Sequence, residues 1–395
     1  MTDLPVRRER FRSSWIFRPG VRSFVIQFLL AALVLLVALL IYQTTSRNMA
    51  AQRIPFGIDF FWIESGFSIS QTLIPFNEAN TYARAFFVGL LNTLFVSALG
   101  ILFATIIGFL VGIGRLSNNW IISRLCGAYV EVIRNLPLLF QILFWYLAVL
   151  AALPVPRQSI SFAGDVFINN RGIMVPKPLF GEGIGLVVLL LLAGIVVSWI
   201  ASALARRHRV RTGSRIAVWP VWLLLAVLVP LGAFFYLGVG VAIDRPVLKG
   251  FNFNGGIRVI PEFLALLIAL STYTAGFIAE IVRAGILAVP KGQTEAASAL
   301  GLRRSTLLRL VVVPQALRVI VPPLTSQYLN LIKNSSLAVS IGYPDLVSVF
   351  AGTTLNNTGQ AIEILGITML VYLFTSLIVS FAMNLYNRRI ALRER

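Results

Sequence analysis

Three charged side chains stand inside long apolar stretches of this sequence: Glu280, Arg283 and Lys333. A charge in apolar surroundings is costly unless it is paired or meets water, so each of these residues indicates a specific contact. Glu280 and Arg283 are three residues apart, a spacing that puts both side chains on one face of a helix. We interpret them either as a local ion pair or as part of a gate.

Lys333 is predicted to lie deep within its apolar segment. It follows Pro323 by ten residues, or about 15 Å of helix, which reaches the middle of a hydrocarbon layer about 30 Å thick. Asn334 and Ser335 follow directly and offer further hydrogen-bonding groups. Lys333 is therefore expected either to line a polar pathway or to form a structural pair.

Two more residues are candidates for the same pathway. Arg134 stands just before an apolar run that begins near residue 136, where it either contacts a partner protein or meets lipid headgroups. Tyr273 lies within another apolar run and either faces the pathway or packs against neighbouring helices.

Other kinds of chemistry find little support. Cys126 and His208 are the only cysteine and histidine, which excludes an intrachain disulfide and argues against a Cys/His metal site. The chain contains no Gly-Lys pair and therefore no P-loop, and it lacks the H-E-x-x-H and G-x-S-x-G patterns. We expect no catalytic residues, no metal and no cofactor on this chain, so that any ATP and magnesium would be bound by partner subunits.

The elements that position these residues are predicted to be membrane-spanning helices. Of the 395 residues, 57% are hydrophobic and only 12% are charged, about half the charged fraction of a typical soluble domain. Spans are predicted at residues 24–42, 86–114, 136–153, 183–204, 217–243, 262–284, 319–342 and 361–386. The fold class is therefore an all-α polytopic membrane protein. The first run is interpreted as a retained span because it is too long for the apolar core of a cleaved leader.

The basic residues predict how these spans are oriented. If the spans alternate in direction from a cytoplasmic N-terminus, 24 of the 34 Lys and Arg residues lie on the cytoplasmic side and 10 on the other. This distribution follows the positive-inside rule and places both termini in the cytoplasm, with the bacterial inner membrane as the expected location. The formal net charge of +19 then reflects membrane orientation and contacts with anionic lipid, rather than nucleic-acid binding.

The predicted cytoplasmic loop at residues 288–314 contains the residues that typically start and end two short helices. Pro290 ends the preceding helix, Thr294 is placed to cap a new one, and Glu295 would stand in its first turn. Gly301 is expected to end that helix with a positive φ, and Ser305 to cap the next. A slim helix of this kind suits insertion into a cleft on another protein.

The same loop carries a known signature. Glu295-Ala296-Ala297, then three residues, Gly301, nine residues, and Val311-x-Val313-Pro314 resembles the E-A-A-x3-G-x9-I-x-L-P signature of ABC importer permeases. All the spacings match, and the two departures are Val for Ile and Val for Leu. The resemblance implies that this stretch is the coupling helix that docks on the ATPase subunit, with Glu295, Ala296, Ala297, Gly301 and Arg304 as the docking residues.

Flanking segments are similar to the polar amino acid permeases of the histidine and glutamine type. The segments that carry this similarity are 132–139, 279–286, 314–318 and 331–337. The resemblance implies a five-span permease core. Three further spans and the long outer segments make the layout similar to that of the general L-amino-acid permeases.

This resemblance implies an organisation and a set of partners. Residues 1–83 would form a tail, a first span and an outer segment; residues 84–386 the permease domain, with an inserted hairpin at about 154–261; and residues 387–395 a second tail. The partners implied are a second, homologous permease, two ATP-binding subunits, an outer solute-binding protein, membrane lipid and an L-amino acid. The alternative function is a secondary transporter or channel that works alone.

The basic-residue distribution makes a topology prediction. A reporter fused after Arg395 and one inserted near His208 should both be cytoplasmic, whereas one near Asn170 should lie outside. Cysteine labelling with a membrane-impermeant reagent, on intact cells and on inverted vesicles, measures this. Labelling of the Asn170 and His208 positions from the same side would contradict the eight-span arrangement.

Overall fold

The structure, a computed structural model, describes residues 19–52, 57–162, 164–214 and 216–390. In this part of the chain, seven helices are long and apolar enough to span a membrane, and one bent pair of helices forms an eighth candidate. The prediction of a polytopic helical membrane protein is therefore confirmed. The basic tails before residue 19 and after residue 390, which the topology prediction uses, lie outside the described residues.

Most helices extend beyond the predicted spans. The predicted fifth span at 217–243 is too long, because the membrane helix there covers only Trp219–Tyr236 and residues from Val241 form a strand. The helices are α1 Pro19–Gln52, α2 Tyr82–Gly114, α3 Trp120–Asn135, α4 Leu138–Leu143, α5 Ile184–Thr212, α6 Trp219–Leu223, α7 Val229–Tyr236, α8 Pro261–Leu287, α9 Lys291–Ala299, α10 Arg304–Leu307, α11 Val313–Asn334, α12 Leu355–Thr358 and α13 Ala361–Ile390. Wider π-helical turns at Phe144–Leu150, Leu224–Leu228, Leu308–Val312 and Val347–Thr354 continue or join these helices, and Ser335–Ile341 is a 3-10 helix.

The third predicted span is bent rather than straight. Helix α3 and the helix at Leu138–Leu150 meet at 107°, because Pro137 has no N–H to donate and Leu136 adopts an extended conformation with ψ of 131°. The side-chain amide of Gln141 donates to the carbonyls of Ile133 and Leu136 at 3.0 and 3.1 Å, and so satisfies acceptors freed at the break. The predicted segment at 136–153 is thus only the second arm of this element.

The core of the bundle depends on a close approach between α2 and α8. Gly100, Ala104, Gly108 and Gly112 recur every four residues and are all buried. A β-carbon at Gly108 would lie 2.6 Å from Cβ of Ile278, and one at Gly112 would lie 2.7 Å from the carbonyl oxygen of Ala279. This face of α2 serves helix packing, because only small residues leave room for the facing helix.

The two ends of the bundle differ in character. The end that carries the link after Gly114 and residues 288–303 is called the basic end, and the opposite end, where β-strands lie, is called the sheet end. At the sheet end, the Asn92 side-chain amide donates to the carbonyl of Pro344 at 2.8 Å, and the N–H of Leu346 donates to the Thr93 hydroxyl at 2.9 Å. These buried bonds fasten the link before α13 to α2.

The segments around the inserted hairpin contain eight short strands, which the sequence prediction did not foresee. They are β1 Ile160–Phe162, β2 Val166–Asn169, β3 Gly172–Val175, β4 Lys177–Phe180, β5 Val241–Asp244, β6 Val247–Lys249, β7 Asn252–Asn254 and β8 Ile257–Val259. Strands β1, β2, β3 and β8 form one antiparallel sheet, β4 pairs with β5, and β6 pairs with β7. Strands β3 and β4, before α5, pair with β8 and β5, after α7. The sheets therefore join the two ends of the hairpin.

The inserted spans pack on each other through their smallest residues. The backbone carbonyl of Leu225 would lie 1.9 Å from a β-carbon at Gly194, so α5 tolerates no side chain there. Four residues on, the Ser198 hydroxyl donates to the carbonyl of Val221 at 3.4 Å. The indole N–H of Trp222 donates to the hydroxyl of Ser202 at 2.9 Å. The hairpin thus has its own helix pairing.

Replacing Gly108 with alanine should destabilise the bundle. Overpacking costs about 1–3 kcal/mol and the gain in helix propensity returns only about 0.5–1 kcal/mol, so we expect a net loss on the order of 1 kcal/mol. Thermal unfolding in detergent measures this. Gly366→Ala is the matched control, since no atom lies within 4 Å of its β-carbon position; equal melting temperatures for the two variants would contradict the close-approach account.

Candidate functional site

Helix α9, at the basic end, is closed by a pair of hydrogen bonds around Gly301. The N–H of Leu302 donates to the carbonyl of Ala297 at 3.3 Å, and the N–H of Gly301 donates to the carbonyl of Ser298 at 2.9 Å. Together with the φ of +71° at Gly301, this is a Schellman motif, which requires the left-handed conformation that glycine adopts without strain. The predicted positive φ is confirmed.

The predicted caps in this loop are wrong. Helix α9 begins at Lys291, with Pro290 in the capping position at a ψ of 135°, because a proline has no N–H to continue the preceding helix and a new helix starts directly after it. Thr294 is inside the helix and its hydroxyl donates to the carbonyl of Lys291 at 2.7 Å. Glu295 consequently stands after the first turn. Ser305 is likewise inside α10, which starts at Arg304 without a side-chain cap.

One face of α9 is held against the bundle and the other is free. Ala297 is buried with Leu307 and Val312 in a small apolar cluster of its own. Glu295, Ala296 and Arg304 are exposed, and Leu300 is 80% exposed. A slim, rigid helix with an exposed leucine at its end has the form of a docking element. Leu300 was missing from the predicted docking residues.

Beside this helix, Glu280 on α8 holds two arginines. Nη2 of Arg283 lies 2.6 Å from Oε1 of Glu280, and Arg115, just after α2, pairs with the other carboxylate oxygen. The structure thus contains the i,i+3 pair that the spacing indicates and adds a third member. These side chains are 23–32% exposed, which places the triad at the surface of the bundle. Its two ion pairs link the end of α2 to α8.

Arg134 joins the same region through an aromatic ring. Its guanidinium carbon lies 5.0 Å from the ring centroid of Phe277, close enough for a cation–π contact. Arg134, Phe277 and the triad line one open cavity of about 870 Å³ between α3 and α8. With four arginines against Glu131 and Glu280 on its wall, this cavity has an excess of positive charge that would attract a carboxylate.

A second, smaller cavity of about 300 Å³ lies between α8 and α11. It is lined by Tyr273, Thr274, Phe277, Gln327, Asn330 and Asn334. Phe277 borders both cavities, so polar groups run from the basic end toward the middle of the bundle along one face of α8. We call these two cavities the polar cleft.

The structure separates Lys333 from the polar cleft. Lys333 is exposed on α11 and lies, with Ser336 and Tyr372, around a cleft of about 530 Å³ whose other walls belong to α13 and its preceding turn. Among the described residues it forms no ion pair. Its neighbour Leu331 packs against Gly100, near the middle of α2. Ser335 is fully buried and its hydroxyl donates to the carbonyl of Ile332 at 2.8 Å, so it lines neither cleft.

Several residues of the polar cleft were missing from the predicted site. Phe277 and Gln327 are neutral, and Arg115 follows the end of a span rather than lying inside one. The signal that could have found them is helical spacing: positions 273, 277 and 280 share one face of α8, and positions 327, 330 and 334 share one face of α11.

Comparison with known proteins identifies the family. Residues 217–394 match the family described as "Binding-protein-dependent transport system inner membrane component". The chain is 50% identical, over 387 residues, to the general L-amino acid transport system permease protein AapQ of Rhizobium johnstonii, which covers 98% of this chain and 96% of that protein. The chain belongs to the permease family of amino-acid ABC transporters. The resemblance stated from the coupling-loop signature is therefore confirmed.

Two further relatives match the permease over nearly their whole length. YhdX of Escherichia coli K12 is 49% identical over 390 residues, covering 98% of this chain and 99% of that protein. The glutamate/glutamine/aspartate/asparagine transport system permease protein BztB of Rhodobacter capsulatus is 42% identical over 415 residues, covering 97% of each chain. The protein is thus a multi-pass membrane subunit of a binding-protein-dependent ABC transporter.

Replacing Lys333 with methionine should lower transport by about tenfold, the factor that corresponds to about 1.4 kcal/mol. The exposed ammonium lies within a span and requires a partner from outside this chain or water in a pathway. Uptake into proteoliposomes holding the complete transporter measures the effect, and Lys333→Arg, which keeps the charge, is the control.

The same variant separates the two roles of Lys333. If the ammonium pairs with another subunit, Lys333→Met should lower the melting temperature of the assembled complex; if it lines a pathway, only uptake should fall. Unchanged uptake together with unchanged thermal stability would contradict both roles.

Proposed function

We propose that this permease carries L-amino acids of several kinds into the cell, in an importer driven by separate ATPase subunits. The breadth of substrates is supported by the relatives that align along the whole chain. AapQ is named for general L-amino acid transport and BztB for two acidic amino acids and their amides. What such substrates share is a carboxylate and an ammonium group, rather than a common side chain.

The observation that carries the proposal is the construction of α9. Its signature residues Glu295 and Ala296 are exposed, as is Arg304 at the start of α10, while the buried Ala297 and the closure at Gly301 fix the helix to the bundle. A helix that is both rigid and free on its outer face can transmit the movement of a partner. We infer that α9 docks on the ATP-binding subunit, which holds ATP and magnesium.

The polar cleft is the proposed substrate pathway. Its wider part has guanidinium groups in excess over carboxylates, suited to a substrate carboxylate, and its narrower part offers the hydroxyl of Tyr273 and the amides of Asn330 and Asn334. Glu280 and its two arginines stand at the basic end, where breaking and remaking ion pairs would open and close the pathway. In this proposal Glu280, Arg283 and Arg134 act as gate residues.

A second permease is proposed to cover one face of α11. Ser326, Asn330 and Lys333 are exposed on this span, and polar groups on a membrane helix are stable only against protein or water. A homologous permease facing this surface would enclose the pathway between the two chains. The polar face therefore supports a heteromeric complex with two permeases and two ATP-binding subunits.

The proposed orientation places the basic end in the cytoplasm of a bacterial cell and the sheet end outside the inner membrane. The coupling helix is then on the side where ATP is available, and the sheets face the solute-binding protein. An external energy source is also required on thermodynamic grounds, because a thousandfold gradient of substrate costs about 4 kcal/mol.

Replacing Gly301 should uncouple transport from ATP hydrolysis. A β-branched residue in the left-handed conformation is strained by about 1–3 kcal/mol, so Gly301→Val should distort the closure of α9 and lower ATP-driven uptake by about tenfold. Gly301→Asn is the matched control, since asparagine tolerates this conformation and no atom stands within 4 Å of the added β-carbon.

The readouts are uptake and binding-protein-stimulated ATPase activity of the full complex in proteoliposomes. Gly301→Val should insert normally and assemble poorly with the ATP-binding subunit. Normal ATP-driven uptake by the valine variant would contradict the coupling role. Uptake by this chain alone, without ATP, would instead support a stand-alone carrier.

A further inference from the structure

The strands at the sheet end carry an unusual share of basic residues. Six of the ten Lys and Arg residues assigned to the outer side lie in the two segments that form the sheets. They are Arg157, Arg171, Lys177, Arg245, Lys249 and Arg258, and all six are exposed. Such residues are normally depleted from the outer side of an inner-membrane protein, so their concentration here requires its own explanation.

Three of these residues form a connected group. Nε of Arg258 donates to the backbone carbonyl of Arg171 at 3.1 Å. The Arg171 guanidinium in turn donates to the side-chain carbonyl of Asn252. One residue before that asparagine, Phe251 lies under Arg157, whose guanidinium carbon is 4.2 Å from the ring centroid. We call Arg157, Arg171 and Arg258 the arginine cluster.

The arginine cluster is held in place without carboxylates. Nε of Arg157 also donates to the carbonyl of Gly250 at 3.3 Å, so backbone and amide oxygens position all three side chains. The nearby ion pair on the sheets joins Arg245 to Asp165 instead, and Asp244 accepts from the N–H of Gly256. Within the described part of the chain, none of the three arginines has a carboxylate partner. Their charges are therefore available to another molecule.

The surroundings of the cluster favour a protein surface as that molecule. Phe251 is 71% exposed beneath the Arg157 guanidinium, and exposed aromatic and arginine side chains are the residue types enriched at protein interfaces. Guanidinium groups fixed in position bind carboxylates in paired hydrogen bonds, which gives both strength and orientation. A phosphate-bearing lipid surface would accept the same paired hydrogen bonds, but the aromatic residues enriched at membrane–water interfaces are Trp and Tyr rather than Phe.

We propose that the arginine cluster is the docking site for an acidic, carboxylate-bearing surface of the solute-binding protein. This inference rests on the proposed function, which supplies that partner and places the sheet end outside. The sheets then give this permease a receptor surface beyond the ends of its core helices. Fixed positive charge would also raise the rate at which an acidic partner arrives, in a manner that salt screens.

The test removes the positive charge of the three arginines and keeps a side-chain N–H donor at each position. In the triple variant Arg157→Gln, Arg171→Gln and Arg258→Gln, the concentration of purified solute-binding protein that half-maximally stimulates ATPase activity should rise about tenfold, a loss of about 1.4 kcal/mol in binding. The assay uses the complete complex in nanodiscs at low salt. High salt should raise the half-maximal concentration of the wild-type complex toward that of the variant, while the maximal stimulation stays unchanged.

The matched control removes the same charge from the other end of the molecule. Arg206→Gln, Arg207→Gln and Arg209→Gln alter three exposed arginines of α5 at its basic end and should leave the half-maximal concentration at the wild-type value. A melting temperature equal to wild type establishes that the cluster variant is folded. If a lower melting temperature is found, single replacements of Arg157 and Arg258 at equal melting temperature decide the question in the same assay.

Each outcome has a distinct meaning. If the binding protein stimulates the cluster variant with the same half-maximal concentration as wild type, the docking site is overturned and the proposed function stays intact. A defect that appears in nanodiscs containing phosphatidylglycerol but not in phosphatidylcholine alone assigns the cluster to lipid and also overturns it. If the binding protein does not stimulate even the wild-type complex, both the proposed function and the docking site are overturned.

Discussion

The close approach of α2 and α8 is the constraint on which the rest of the structure depends. At Gly108 and Gly112 the facing helix occupies the space of a side chain, with distances of 2.6–2.8 Å from a β-carbon position to Ile278, Ala279 or Val282. In a membrane, helix association relies on such contact because lipid is as apolar as the side chains themselves. This pairing sets Arg115 beside Glu280, and it leaves the opposite faces of α8 to meet α3 and α11.

The polar groups of the bundle divide into those that the chain satisfies and those that it leaves open. Asn92 and Thr93 are buried and bonded to the link at Pro344 and Leu346, so they serve the fold. Lys333 and Asn330 lie on an exposed face of a span, and no single chain in a membrane keeps such a face stable. The same reasoning that assigns the first group to structure therefore assigns the second to a partner or to a water-filled pathway.

Hydropathy and spacing were sufficient for most of the spans and for the conformation at Gly301, because each depends on local sequence. Other features depend on contacts distant in sequence. At Pro137 a moderately polar helix meets an apolar one, and hydropathy alone identifies only the apolar one as part of a span. Strands β3 and β8 pair residues more than 80 positions apart, as in Ile173 with Val259. The cap at Thr294 was wrong because Pro290 starts the helix four residues earlier, and the cap at Ser305 was wrong because α10 starts one residue before it, at Arg304.

The position of α9 explains how a docking event could reach the substrate pathway. Three residues join it to the end of α8, and a similarly short turn joins it to α10 and then α11. Near these ends, α8 and α11 are in contact, since a β-carbon at Gly285 would meet Ile320 at 2.3 Å. The narrower cavity of the polar cleft is built from the same two helices, through Tyr273 on one and Asn334 on the other. A displacement of α9 would therefore reach both helices that form the walls of that cavity, and the tight packing at Gly285 would hold these two helices together at the basic end.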